Sequence, residues 1–219
     1  MGRSKIIVEL IRDEINVVQA MNILKLLMQD NNNEKINNWL SSEINGYEEK
    51  EEVPQYRIIS CDIKGNVVAG YTVISKMNIP VKEEFKKIVS KVEIREGINE
   101  ILQFAKAEQE TENHNLTMEM PLDYINAIAL VNGQVTHACR ELSVYAFTNI
   151  INSLKPMLLN ILLELEKTYG NLDEYYIDMS NKEKKEEVTQ TIINIIDKSI
   201  KIGDNNKIEK SNIGENNEN

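Results

Sequence analysis

The chain has 219 residues, with 25 basic and 35 acidic side chains and a formal net charge of −10. Hydrophobic residues make up 42% and charged residues 27%, which suits one packed domain of ordinary size and excludes a wholly disordered chain. The acidic balance argues against a protein that coats nucleic acid, because counterion release rewards a basic excess.

Two cysteines, Cys61 and Cys139, exclude a disulfide scaffold and a cysteine-rich zinc fold, and they fit a reducing compartment. No run approaches the ~20 apolar residues of a membrane helix; the best, 158–163, contains Asn160. Glu9 and Arg12 interrupt the apolar run after Lys5, so no secretory leader is expected. These features predict a cytoplasmic protein with no membrane partner. Asn and Ile are abundant and Lys outnumbers Arg, the mark of an AT-rich genome. Asn31, Asn32 and Asn33 then read as a loop shaped by codon bias. Each Arg becomes more informative, since a guanidinium suits planar, bidentate contacts.

Ser4 caps a short first helix with Ile7, Leu10 and Ile11 on one face. Asn16 and Gln19 form a capping box for a second, striped by Val17, Ala20, Met21, Leu24, Leu27 and Met28. Asn33 caps a third, with Ile36, Trp39, Leu40 and Ile44 inward. Gly46 ends it as a left-handed stop, and Tyr47 packs back on the last turn in a Schellman ending.

After an acidic loop at 48–52, the period changes to two. Strands at 56–63 and 67–75 are predicted, with Gly65-Asn66 as the hairpin turn. Arg57 shares a face with Ile59, Cys61 and Ile63, and polarity leaves the inward face open. Pro80 opens a helical stretch striped by Val81, Phe85, Ile88 and Val92; a second carries Ile94, Ile98, Ile101, Leu102 and Ala105. A polar loop at 108–115, a short strand at 116–120, a brief helix after Pro121 ending near Gly133, and a strand at 135–142 follow. The longest helix runs from about Ser143 to Lys167, with Pro156 inside as a kink or restart. Gly170 stops it, and Ser180 with Glu183 boxes a last helix striped by Val188, Ile192, Ile195 and Ile196. The order predicts an α+β fold: helix-rich, with N-terminal helices, a small mixed or antiparallel sheet containing a hairpin, and a long C-terminal helix.

Chemistry is sparse. His137 and Cys139 point to one side of a strand, where a thiolate–imidazole pair is conceivable, but two ordinary strand residues are the simpler reading. Asp62 and Lys64 have the acid-x-Lys form of a metal-dependent nuclease, yet the following strand supplies no second acid. The acidic runs at 48–52 and 108–112 lack the alternating ligands of a calcium loop. Lys182, Lys184 and Lys185 are cancelled by Glu183, Glu186 and Glu187. No catalytic residue, metal ligand or cofactor is expected.

The block Trp39, Glu43, Ile44, Asn45, Gly46 and Tyr47, followed by Pro54, Tyr56 and Arg57, resembles the AbiTii family. The resemblance covers roughly 4–167, with Pro156 and Lys155 as departures. It implies a role in bacterial abortive infection, where phage infection ends in arrest or death of the host cell. The expected division is an AbiTii-like domain at 1–170, an appended helical segment at 171–202 and a disordered tail at 203–219. Trp39, Asn45 and Gly46 are expected to be structural. Glu43, Tyr47, Tyr56 and Arg57 are candidate binding residues, with a buried Glu43–Arg57 pair bracing helix against hairpin as the plainer alternative. The leading expectation is a non-enzymatic sensor or interaction module that meets a protein partner or a second copy. The alternatives are a toxic metal-dependent nuclease built on Asp62 and Lys64, or a nucleic-acid-binding regulator.

Overall fold

The computed structural model describes residues 2–107, 115–143 and 145–201; the expected tail at 203–219, His114 and most of the polar loop lie outside them. Three helices, α1 (Lys5–Ile11), α2 (Val17–Leu27) and α3 (Glu34–Asn45), come first. A 3-10 turn (Gln55–Arg57) leads into β1 (Ile58–Ala69), β2 (Thr72–Asn78), α4 (Glu83–Val89), β3 (Lys91–Glu93) and α5 (Ile98–Ala107). Then come β4 (Asn115–Glu119), α6 (Leu122–Ile128), β5 (Gln134–Ser143), α7 (Tyr145–Tyr169) and α8 (Lys182–Lys201). The fold is α+β, as the periodicities predict.

The sheet is antiparallel, in the order β2-β1-β5-β4. β5 occupies one edge of β1, while the other edge carries β3 opposite 58–60 and β2 opposite 64–69. The hairpin lies further along than the sequence predicts. β1 runs through Gly65 and Asn66, and the chain turns at Gly70 (φ +61°) and Tyr71. Gly65 is instead needed for close approach: a Cβ there would fall 2.1 Å from the His137 carbonyl oxygen. The β1–β2 register shifts between Gly65 and Val67, so this glycine marks an irregularity within a strand, not its end.

Other differences are local. Ser4 stands at the N-cap of α1, but its hydroxyl bonds Glu166 on α7 (2.7 Å) and accepts the Leu172 N–H (3.0 Å). Ile6 replaces Ile11 on the buried face, and Ile11 is exposed. Val89, not Ile88, is the buried end of α4, and Val92 lies in β3. Asn181 caps α8 by accepting the Lys184 N–H, while Ser180 gives its own N–H to Asp178. Asn31 is a buried joint, not codon-biased filler. Its amide donates to Thr189 of α8 (2.9 Å) and its oxygen accepts the Asn33 N–H (3.0 Å).

Two apolar clusters result. The main one joins α1, α2, α3, α5, α7 and α8 to the start of β1. α7 runs its 25 residues through Pro156 as one helix, with Phe147, Ile150, Leu154, Leu158, Ile161, Leu162 and Leu165 buried. The segment after Gly170 feeds this cluster with Leu172, Ile177 and Met179, and α8 adds Val188, Ile192 and Ile196. A smaller satellite cluster (Ile63, Val67, Ile79, Val89, Met120, Ile125, Ile128, Val135 and Ala138) lies towards the hairpin end of the sheet.

Candidate functional site

The motif residues converge where α3 ends and β1 begins. Arg57 is on the 3-10 turn just before the strand, in phase with the buried Ile59, Cys61 and Ile63, which settles the inward face of β1. Arg57 and Glu43 have side chains with 0% exposure, and Nη2 donates to Oε2 at 2.7 Å. Nε lies 3.2 and 3.3 Å from the two carboxylate oxygens. Nη1 donates to the carbonyls of Ile94 (3.2 Å) and Glu96 (2.6 Å). The hydroxyls of Tyr47 (2.5 Å) and Tyr56 (2.6 Å) both donate to Glu43 Oε1, and Trp39 Nε1 donates to the Tyr56 oxygen at 3.2 Å. The guanidinium carbon lies 4.9 Å from the centroid of the Tyr47 ring, a cation–π contact.

Burial first, then the Glu43 charge and its hydrogen bond, raise the pKa of both Tyr47 and Tyr56, so both stay neutral donors. For Arg57, burial acts to lower the pKa, but Glu43 and its hydrogen bond outweigh that and raise it. The cluster is a closed brace whose polar atoms are spent on one another and on backbone carbonyls. It ties α3 to the 3-10 turn and to the segment before α5.

Two glycines let those backbones meet. Gly46 has φ +100° and ψ 162°, outside the helix-like left-handed region, so α3 does not close in a Schellman motif. Instead the Tyr47 N–H donates across to the Arg95 carbonyl at 2.8 Å. A Cβ on Gly46 would lie 2.8 Å from that same oxygen, and one on Gly97 would lie 2.6 Å from the Ile44 carbonyl oxygen. Trp39 is buried, while Asn45 is exposed and donates its amide to Ser41.

The AbiTii family model matches residues 4–192. The chain belongs to the AbiTii family. No curated protein and no solved structure matches it. The family match passes the end of the resemblance legible in the sequence, near Lys167, and takes in the first half of α8 and its contact with Asn31. AbiTii membership points to a role in abortive-infection defence.

Other sequence candidates stand apart from the brace. Lys64 forms an ion pair with Glu141 of β5, whose Cα is opposite Asp62 in the ladder. The acid missing from the following strand thus comes from a strand more than seventy residues away, a pairing that local pattern does not carry. The hydrogen bond to Glu141 is the chief cause raising the Lys64 pKa, which keeps it protonated. Cys139 is buried, and burial followed by the nearby Glu119 and Glu141 raises its pKa, the opposite of what a thiolate nucleophile needs. His137 is exposed, with Nδ1 3.4 Å from Glu119. Among the described residues no group of three or more His, Cys, Asp or Glu could hold a metal ion.

Proposed function

We propose that the chain is a cytoplasmic component of an abortive-infection phage-defence system and acts there through protein contacts, as a sensor or interaction module. The observation that carries this reading is the closed brace. The motif that identifies the family resolves into a rigid joint whose Glu43 and Arg57 are saturated internally, with neither charge presented to a substrate. A rigid joint fixes the surfaces around it, which suits recognition. Among the described residues no helix is long and apolar enough to cross a membrane, in line with a partner met away from lipid. That partner is another protein of the system or a second copy of this chain.

The rival with a specific observation behind it is the nuclease, since Asp62, Lys64 and Glu141 do meet on the sheet. Phage plating on cells with and without the gene, and with Asp62→Ala/Lys64→Ala, separates the two. The contact reading expects the double variant to protect like the wild type. A double variant that melts normally but protects no better than the empty vector makes the nuclease the correct reading.

A further inference from the structure

The hairpin end of the sheet differs from the rest of the surface in backbone, apolarity and charge. β2 pairs with β1 along one side and with no other described strand. Residues 72–75 are exposed on both faces, including Val73 (61%) and Ile74 (45%). Natural sheet edges are usually blunted by charge, proline or a bulge, because open N–H and C=O groups recruit another strand. Here the interruption comes only at Lys76, which has φ +53° and donates its N–H to Asn66 Oδ1. Between the turn and Lys76, Thr72, Val73 and Ile74 pair with β1, and the backbone groups of 72–75 that point away from β1 meet no other described strand.

The same stretch inverts the charge of the chain. No acidic residue stands between Asp62 and Glu83, and residues 65–91 carry five lysines against two glutamates in a chain of net charge −10. All five lysines are exposed. Lys82 donates to the Ala127 carbonyl and Lys86 lies 3.6 Å from Glu83. Lys76, Lys87 and Lys91 have no ion-pair partner among the described residues. Lys76 lies in β2 itself, and Lys87 and Lys91 follow in α4 and β3, with β3 pairing further along the same side of β1 as β2.

We propose that the outer edge of β2 is the docking site for an extended acidic segment of a partner protein. The segment adds to the sheet as a further strand, its backbone closing the ladder at 72–75 and its carboxylates facing Lys76, Lys87 and Lys91. This rests on the contact reading above and gives it a place. A second copy is a poorer occupant: antiparallel pairing of β2 with itself offers lysines no carboxylate and brings two chains of net charge −10 together. Nucleic acid would use the lysines but neither the open ladder nor Val73 and Ile74.

The test uses the full chain and fluorescein-labelled decapeptides in which Val alternates with Glu. One control has Lys for Glu; another has proline at alternate positions to remove backbone donors. Polarisation should show binding of the Glu peptide, at least tenfold weaker binding of both controls, and a tenfold or greater loss with Lys76→Glu/Lys87→Glu/Lys91→Glu. Amide NMR shifts should map to 72–75. The proposal is overturned if the Glu peptide fails to bind, binds the triple variant equally or shifts other residues. It is also overturned if β2 shifts instead report dimerisation, or if a single-stranded oligonucleotide binds more tightly. In cells, the triple variant should melt normally and lose at least tenfold in phage protection. Full protection by it overturns the docking site alone. The contact reading fails separately, only if Asp62→Ala/Lys64→Ala melts normally and abolishes protection.

Discussion

The two apolar clusters make unequal halves. The main cluster collects 34 buried apolar side chains among the described residues, the satellite nine. Exposed large apolar side chains occur on both halves, but the smaller one carries Tyr71, Val73, Ile74, Ile88, Met118 and Leu130. The brace sits in the first half, and the open edge and unpaired lysines in the second. The contrast separates what identifies the family from what is available for contact. Glu43, Tyr47, Tyr56 and Arg57 stand out in the sequence because a buried charge needs specific partners, and that same burial keeps their charges from a visitor. Stability is also expected to be uneven, since regions with few buried contacts open at lower free energy than the global transition.

The largest effect should come from cutting the brace. Arg57→Ala or Glu43→Ala leaves one fully buried charge without its partner, which typically costs about 3–5 kcal/mol. Urea unfolding followed through Trp39 emission should show that loss, whereas Lys64→Ala, in the half-buried pair with Glu141, should cost about 1 kcal/mol. Equal losses would mean that the two regions do not differ in rigidity. Tyr47 and Tyr56 add a pH signature. Their folded pKa values are raised, so their contribution is complete below the unfolded value near 10 and is lost as pH rises above it. Each phenol should steepen the decline by about 1.4 kcal/mol per pH unit. Tyr47→Phe/Tyr56→Phe should flatten that alkaline slope; an unchanged slope removes these phenols from the account.

Next comes α8. The sequence alone sets 171–202 apart, because the resemblance fades near Lys167 and the Ile/Val stripe is narrow. In the structure Val188, Ile192 and Ile196 lie within the main cluster beside α7, and Lys35 pairs with Asp197 at 2.6 Å. Ile192→Ala should cost about 2–5 kcal/mol, the usual range for truncating a buried aliphatic chain. The central amides of α8 should exchange as slowly as those of α7. Fast exchange there would support the division that sets 171–202 apart as an appended segment.

What the sequence shows follows physical range. Helical stripes and caps are local, so α2 and α3 are legible with nearly every inward residue and α7 in its extent, and the Asn16–Gln19 box appears as predicted. The Glu43–Arg57 pair is legible as one of two alternatives, because both residues lie in the motif. Long-range partners are not legible. The Glu166 that takes the Ser4 hydroxyl and the Thr189 that meets Asn31 lie more than 150 residues from their partners, and Glu141 lies 77 from Lys64. The hairpin misleads for a different reason: Gly-Asn and Gly-Tyr are both glycine-led, and only the packing of His137 against Gly65 decides between them.

A smaller effect should distinguish the halves directly. Ile125 is fully buried in the satellite. Ile125→Ala should raise exchange at β2, β5 and α6 at low urea while the Trp39-monitored transition moves less than it does for Ile192→Ala. A Trp39 transition that shifts as far as the satellite amides would show a single cooperative unit.

The smallest effect is expected at Gly70, and it tests the hairpin itself. Gly70 holds φ +61° with nothing within 4 Å of an added Cβ, so Gly70→Ala meets only the left-handed backbone penalty, roughly 1 kcal/mol. Gly65→Ala meets a backbone oxygen at 2.1 Å and must push β1 and β5 apart. A turn at Gly65-Asn66 would reverse that ranking, because residue 65 would then face open solvent. Gly70→Ala should therefore speed exchange along β2 only, leave the Trp39 transition within a few tenths of a kcal/mol of the wild type, and be milder than Gly65→Ala. Since it loosens the strand proposed to receive a partner without touching its lysines, any loss of phage protection should track the population of ordered β2. Protection that stays complete while β2 amides exchange freely would show that the edge strand is not where the contact is made.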